Sequence, residues 1–122
     1  MEKRRILVVD DDPVIRGFVG ANLRVRNFDV TVAEDGTSAL REIEGSLPDL
    51  VILDVMMPGI DGIEVCRRIR EKSDVPVIMI SAKVDSASQA HAKRIGADSY
   101  ICKPFAINDL VTQVQTLLGL DK

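Results

Sequence analysis

Several side chains that can take part in metal or phosphate chemistry stand directly after short apolar runs of the sequence. They are Asp10, Asp11, Asp12, Asp54, Ser81 and Lys103. Carboxylates placed close together repel one another, so a cluster of aspartates favours a bound cation. A carboxylate nucleophile, a hydroxyl group, a lysine and a metal ion together supply what phosphoryl transfer requires. The sequence therefore predicts a phosphoryl-transfer site if the fold brings these positions together.

The kinds of donor atom in the chain indicate which metal and which nucleophile to expect. The chain has one histidine, His91, and two isolated cysteines, Cys66 and Cys102, so a zinc or iron site has no support. Carboxylate oxygens, carbonyl groups and waters are the ligands of Mg²⁺. Asp54 stands alone after its apolar run, which favours it as the nucleophile, whereas the aspartates that begin at Asp10 are grouped and favour metal binding.

Short apolar runs alternate with longer segments of helical periodicity, which is the pattern of repeated βα units around a parallel sheet. The apolar runs cover 6–9, 30–33, 50–53, 75–80 and 100–102. The helical segments lie near 13–26, 36–45, 62–72, 85–95 and 106–118. We therefore predict an α/β fold with a doubly wound, five-stranded parallel sheet of the flavodoxin-like type.

The composition of the apolar runs predicts the order of the strands. The first, third and fourth runs are unbroken aliphatic sequences, which is typical of strands covered on both faces. The second run alternates and the fifth is mixed, as expected at the edges of a sheet. Right-handed crossovers then favour the order 2-1-3-4-5, in which the winding reverses between strands 1 and 3. Ligands of such sheets bind beyond the carboxyl ends of the strands at that reversal, where the predicted site residues lie.

The first predicted helix carries two local signals. Asp12 followed by Pro13 is typical of an N-cap and a first helical position, so we expect Asp12 to cap the helix rather than bind metal. Gly17 and Gly20 lie inside the helix, where each costs about 1 kcal/mol relative to alanine. We expect packing or a docking surface to compensate for this cost.

Length, charge and composition restrict the classes of function. The 122 residues suffice for one domain and are too few for two ordinary ones, so we predict a single domain over 1–122 without an output domain. The net charge of -3 and the aromatic content of 3% argue against direct nucleic-acid contact. We expect no signal peptide or membrane span, since only a short apolar run follows the first residues, and the cysteine usage favours the reducing cytoplasm.

Four segments resemble the receiver domain of two-component response regulators, in the same order and at the same strand ends. They are 6–12 (ILVVDDD), 54–62 (DVMMPGIDG), 80–82 (ISA) and 96–105 (GADSYICKPF). The resemblance is closest to the class that often carries a winged-helix DNA-binding output domain. It implies a signalling phosphoacceptor rather than an enzyme. Such a domain takes a phosphoryl group from a histidine kinase or a histidine phosphotransfer protein and switches its helix 4, strand 5 and helix 5 surface.

The same resemblance implies a role for each site position. The implied roles are Asp54 as phosphoacceptor; Asp10, Asp11, Asp54 and the Met56 carbonyl as ligands of Mg²⁺, with Mn²⁺ as a substitute; Ser81 and Lys103 as phosphoryl contacts; Ser81 and Tyr100 as a coupled switch; and a cis peptide between Lys103 and Pro104. All of these residues belong to the four matching segments.

The resemblance also implies that Met56 and Lys83 influence the lifetime of the phosphoryl group, because they occupy two positions beside the site at which members of the family differ in this lifetime. Met56 has no side-chain group that orients an attacking water, and Lys83 can reach phosphoryl oxygens. We therefore expect slow self-dephosphorylation.

The output of the domain is less defined by the sequence. The resemblance implies a downstream protein or an attached output domain as partner, and a phosphorylation-dependent dimer in the winged-helix class. That class often has Asp where this chain has Ser99 and Arg where it has Gln113, so part of the charge network of the dimer interface is missing.

Three other functions compete with the receiver. A phosphohydrolase acting through an aspartyl-phosphate fits a nucleophile at Asp10, but it needs a second acidic pair and a cap domain. A flavodoxin-like cofactor binder needs a Ser/Thr/Gly-rich phosphate loop after strand 1, where this chain has aspartates. A degenerate receiver that serves only as a scaffold is disfavoured because every chemical position is filled.

Overall fold

The computed structural model describes residues 3–120, which form a parallel five-stranded sheet with helices on both faces. The strands are β1 (Arg5–Val9), β2 (Asp29–Ala33), β3 (Leu50–Asp54), β4 (Val77–Ser81) and β5 (Ser99–Cys102). The helices are α1 (Pro13–Arg24), α2 (Gly36–Gly45), α3 (Gly62–Arg70), α4 (Ser86–Ile95) and α5 (Ile107–Leu117). The strand order β2-β1-β3-β4-β5 confirms the predicted fold class and order. No helix within these residues is long and apolar enough to cross a membrane.

The sheet separates two aliphatic cores. On one face Leu7 and Val51 pack with residues of α2, α3 and α4, and on the other face Ile6 and Ile52 pack with residues of α1 and α5. Consecutive side chains of a strand point to opposite faces, so a strand covered on both sides needs an unbroken aliphatic run. β3 and β4 are buried along their whole length, which gives the polar residues at their ends a rigid support.

Aspartate side chains cap the first four helices. Asp12 accepts a hydrogen bond from the backbone N–H of Val14 at 2.9 Å, and Pro13 occupies the first helical position. Asp61 does the same for the N–H of Glu64 at the start of α3. An N-cap carboxylate satisfies an otherwise unpaired amide and places negative charge at the positive end of the helix. The predicted capping role of Asp12 is confirmed.

Several predicted boundaries differ from the structure by one or two residues, and two of these differences have a local explanation. β4 begins at Val77 rather than Val75, because Pro76 has no N–H to donate to a neighbouring strand. α1 ends at Arg24 rather than near residue 26, and Asn27 then takes a φ of 72°, which a right-handed helix does not allow.

The two glycines of α1 have different surroundings. A Cβ atom added at Gly20 lies 3.4 Å from Nη1 of Arg24 and 3.8 Å from Cγ1 of Val30, which are ordinary van der Waals distances, so packing does not require a glycine here. A Cβ atom added at Gly17 meets no heavy atom within 4 Å. Packing within the described residues therefore does not account for Gly17.

Candidate functional site

The neighbouring strands β1 and β3 bring Asp10 and Asp54 together. Asp10 directly follows β1 and Asp54 is the last residue of β3, and these strands are hydrogen-bonded neighbours. Both aspartates are buried, whereas Asp11 is exposed at the mouth of the site. One carboxylate oxygen of each of Asp10, Asp11 and Asp54 lies within 4.8 Å of the others. The predicted acidic cluster is therefore present, with Asp12 outside this group of three.

Lys103 brings a positive charge to the cluster from the end of β5. Its Nζ atom lies 3.3 Å from Oδ2 of Asp10 and 3.4 Å from Oδ1 of Asp54. Its side chain is partly buried, so these two contacts are only weakly screened by solvent. One ammonium group thus partly neutralises two buried carboxylates. The peptide bond between Lys103 and Pro104 is cis.

The carboxylates of the cluster are crowded even with this lysine. The pKa of Asp54 is raised to about 7, chiefly by burial and further by the nearby charge of Asp10. The charge of Lys103 and the backbone N–H of Met56 lower the same pKa without cancelling the rise. A cation bound between the carboxylates favours their ionised forms, because it replaces the repulsion by attraction.

Hydrogen bonds from three residues hold Asp10 in a single orientation. The N–H of Asp12 donates to its Oδ1 at 2.9 Å, and the side chain of Arg16 donates to its carbonyl oxygen at 2.8 Å. With Lys103 on Oδ2, both carboxylate oxygens of Asp10 have partners within the chain. This carboxylate is therefore fixed before any ligand binds.

Ser81, Lys83 and Tyr100 form a chain of hydrogen bonds beside the cluster. Ser81 is fully buried at the end of β4, and its Oγ accepts from the backbone N–H of Lys83 at 3.1 Å. The Tyr100 hydroxyl donates to the carbonyl oxygen of Lys83 at 2.8 Å. The hydroxyl of Ser81 and the ring of Tyr100 are thus connected through one residue.

Met56 lies in the loop after β3 and contributes its backbone rather than its side chain. Its N–H donates to Oδ1 of Asp54 at 3.3 Å, while the side chain is 52% exposed. The exposed thioether has no group that binds and orients water near Asp54.

Gly62 supports the site, although sequence reasoning assigned it only a helix start and a place in the matching segment 54–62, with no role at the site. A Cβ atom added at Gly62 lies 2.3 Å from the carbonyl oxygen of Asp54 and 2.7 Å from Cα of Val55. The N–H of Gly62 also donates to the carbonyl oxygen of Val55 at 2.9 Å. The beginning of α3 therefore packs directly on the backbone that carries Asp54. The sequence signals for this residue were its position directly after Asp61 and at the end of the matching segment 54–62.

Comparison with protein families matches residues 6–115 to the response regulator receiver domain. The chain belongs to this family. Receiver domains are the phosphoacceptors of two-component signalling, and the fold and acidic cluster of this chain agree with that function.

Relatives and solved structures agree with this assignment. The receiver domain is 44% identical over 116 residues to the DNA-binding response regulator MtrA of Mycolicibacterium smegmatis, covering 95% of this chain and 51% of MtrA. It matches the receiver domain of the Francisella response regulator 1452 with a TM-score of 0.92 and 34% identity, covering 98% and 100% of the two chains. The BeF3-activated N-terminal receiver domain of Klebsiella pneumoniae RstA matches with a TM-score of 0.90 and 30% identity, covering 94% and 98%. The chain spans about half the length of the curated relatives it matches.

Proposed function

We propose that Asp54 is the phosphoacceptor of this receiver domain and that its donor is the phosphohistidine of a histidine kinase or phosphotransfer protein. The observation that supports this role most directly is the buried Asp54 carboxylate, which shares the Lys103 ammonium group with Asp10 at 3.3 and 3.4 Å. A phosphoryl group on Asp54 brings new negative charge to a position that already has a cation beside it. The domain is a signalling acceptor in this proposal, with self-phosphorylation and self-dephosphorylation as its only chemistry.

The proposed step forms one bond and breaks one. An oxygen of Asp54 attacks the phosphorus atom, the P–N bond to the donor imidazole breaks, and the electron pair of that bond stays on the imidazole nitrogen. Lys103 neutralises the oxygens of the transferred group, and the hydroxyl of Ser81 donates a hydrogen bond to one of them. Mg²⁺, held by Asp10, Asp11, Asp54 and the Met56 carbonyl, supplies further charge neutralisation when it is bound.

A phosphoryl analogue tests this function directly. We expect beryllofluoride with Mg²⁺ to shift the backbone amide NMR signals of Asp54, Ser81, Lys83 and Tyr100, because these residues are joined by the contacts described above. Beryllofluoride without Mg²⁺ is expected to produce none of these shifts. A spectrum that is unchanged under both conditions, or changed equally under both, contradicts the proposal.

The contacts favour Asp54 over Asp10 as nucleophile, against the competing hydrolase mechanism. Both carboxylate oxygens of Asp10 accept hydrogen bonds from the chain, one from Asp12 and one from Lys103. The contacts of Asp54 with Met56 and Lys103 instead both fall on Oδ1, which favours its Oδ2 atom as the attacking oxygen.

Thermal unfolding tests the proposed metal ligands. We expect Mg²⁺ to raise the melting temperature by roughly 10 °C at a concentration of about 100 times its Kd, because it binds only the folded cluster. Asp11→Asn removes one ligand and is expected to require a much higher Mg²⁺ concentration for the same rise. Asp74→Asn, an exposed change at the other end of the sheet, is the control and should behave like the wild type. Mn²⁺ is expected to substitute for Mg²⁺; equal responses of the two variants contradict the assignment.

Replacement of Met56 tests the predicted slow loss of the phosphoryl group. We expect Met56→Asn to shorten the half-life of the phosphorylated protein by roughly threefold or more, because an amide orients water where a thioether does not. Met56→Leu keeps an apolar side chain and should retain the wild-type half-life. A half-life of Met56→Asn that equals or exceeds that of the wild type contradicts the prediction.

Helix α1 offers the donor protein a contact surface next to the acidic cluster. Val14, Phe18 and Val25 are 75%, 50% and 79% exposed, which is unusual for large apolar side chains. Gly17 lies between them and has open space in place of a side chain. We propose that a helix of the phosphohistidine-carrying protein packs here, because α1 begins two residues after Asp11 and Gly17 permits a close approach of backbones.

A charged substitution on α1 tests this contact. Phe18→Glu is expected to slow phosphoryl transfer from a phosphohistidine protein by roughly tenfold or more, because it puts a charge in a buried apolar interface. Transfer from phosphoramidate, which needs no docking, should be unchanged. Leu47→Glu changes an equally exposed leucine after α2 and is the matched control. If Phe18→Glu slows both donors alike, α1 is not the docking surface.

We propose that the signal leaves through the α4, β5 and α5 surface toward an attached output domain or a downstream protein. Tyr100 lies on this surface, and hydrogen bonds through the backbone of Lys83 connect its hydroxyl to Ser81. The Oγ atom of Ser99 donates to Oε1 of Gln113 at 3.0 Å, so these two neutral side chains pair within one chain. Size-exclusion chromatography with and without beryllofluoride tests whether a phosphorylation-dependent dimer still forms.

A further inference from the structure

A cavity of about 610 Å³ opens next to the acidic cluster, between the loop after β3 and the first turns of α4. Its apolar lining includes Met56, Met57 and Ile63, and its other side includes Lys83, His91 and Tyr100. The volume is within the range of small-molecule binding sites. None of the three clustered carboxylates lines it, so within the described residues it is a separate space from the phosphorylation site.

The charges around this cavity favour an anion. Lys83 has no carboxylate within 4.0 Å in the described part of the chain, and His91 supplies a further nitrogen at the rim. Asp61 is the one carboxylate in the lining, and it accepts the N–H of Glu64 at the positive end of α3. Its charge is therefore already compensated by the helix terminus.

The apolar part of the lining favours a compact hydrophobic body. Methionine side chains have several rotatable bonds and a polarizable sulfur, so they adapt to ligands of different shapes. Met57 is buried and forms a fixed base, while Met56 is half exposed and can close over a ligand.

We propose that this cavity binds a small amphiphilic anion, an aromatic or branched aliphatic carboxylate whose apolar body packs on the two methionines and whose carboxylate pairs with Lys83. This ligand class matches both the apolar part of the lining and its lysine. A cation or a fully polar ligand leaves one of them unused.

The cavity shares its walls with the phosphorylation site, so the ligand also regulates phosphorylation; this step rests on the proposed function. Met56 donates to Asp54, Lys83 donates to Ser81, and Tyr100 donates to Lys83. The ligand therefore contacts residues that are hydrogen-bonded to Asp54 and Ser81, so a rearrangement of these bonds on phosphorylation changes its affinity. By reciprocity, the ligand changes the affinity for a phosphoryl analogue by the same factor.

The binding step is tested with 1-naphthoate as probe, followed by backbone amide NMR. Saturable shifts are expected at Met56, Met57, Lys83 and His91, and 1-naphthylmethylamine, which has the same rings with a positive charge, should produce none. Lys83→Gln is expected to weaken naphthoate binding by about fivefold. Lys93→Gln changes an exposed lysine of α4 that does not line the cavity, and it should leave the affinity unchanged. Shifts scattered over the chain, equal binding of the amine, or an unchanged affinity in Lys83→Gln overturn the proposal.

The coupling is tested by repeating the naphthoate titration with saturating beryllofluoride and Mg²⁺. The affinity for naphthoate is expected to change by about threefold or more, and Asp54→Asn should abolish this effect while it retains naphthoate binding. Naphthoate binding that is equal with and without a bound analogue overturns the coupling. If the protein gives no response to beryllofluoride at all, the proposed function fails, and the naphthoate titration alone still decides whether the cavity binds anions.

Discussion

Asp54→Asn is expected to reduce phosphoryl uptake by at least about 100-fold, both from phosphoramidate and from a phosphohistidine protein. The asparagine keeps the shape of the side chain but has no anionic oxygen to attack phosphorus. The variant should fold at least as well as the wild type without metal, because it removes one of two buried carboxylates that repel each other. Hydroxylamine-labile phosphate in the purified protein and a thermal melt of the same sample measure both effects.

Two further measurements make this prediction specific for Asp54. Asp74→Asn removes an exposed carboxylate at the opposite end of the sheet and should retain wild-type uptake. Borohydride reduction followed by peptide mapping should locate the phosphoryl group of the wild type on Asp54. Label on Asp10, or uptake by Asp54→Asn at the wild-type level, would show that the acceptor has been assigned wrongly.

Gly62→Ala is expected to reduce the free energy of unfolding by about 3 kcal/mol, a large effect for one added methyl group. The added Cβ atom lies 2.3 Å from the carbonyl oxygen of Asp54 and 2.7 Å from Cα of Val55, and backbone atoms cannot rotate away as a side chain does. The loop after β3 must therefore shift. Because that loop carries Asp54 and Met56, the affinity for beryllofluoride should fall together with the stability.

Urea denaturation of two glycine variants tests this steric explanation. Gly45→Ala lies at the end of α2, where an added Cβ atom meets no heavy atom within 4 Å. It should leave the stability unchanged or raise it by up to about 1 kcal/mol, since alanine favours a helix more than glycine. If Gly62→Ala is as stable as Gly45→Ala, the close packing of α3 on Asp54 has no energetic importance.

The arrangement of the strands could be predicted from the sequence because burial determines composition. β3 and β4 have side chains in both cores, so their sequences are unbroken aliphatic runs, whereas β2 at the edge alternates. Once the order of parallel strands is known, their carboxyl ends must meet at one edge of the sheet. The grouping of Asp10 and Asp54 follows from this topology without any knowledge of side-chain positions.

The starts of the helices could also be predicted from the sequence, because capping is a local interaction. Asp12 and Asp61 each bind an amide within three residues, and the pattern of an aspartate before a helical segment is sufficient to predict this. The predicted end of α1 and the predicted start of β4 were each two residues away from the structure, since the left-handed Asn27 and the missing N–H of Pro76 act at single positions.

Hydrophobic periodicity and capping are encoded within short segments, so the fold, the family resemblance and the residue types available for chemistry could be predicted from the sequence alone. Which of these residues share a contact depends on the packing of the whole chain. Lys103 and Asp10 are 93 positions apart, and the link between their charges depends on the alignment of strands that are not adjacent in the sheet. The raised pKa of Asp54, the packing of Gly62 on its carbonyl and the cavity beside it likewise depend on distances of a few ångströms between separate elements. A residue pattern does not contain such distances, since they result from the simultaneous packing of all the helices on the sheet.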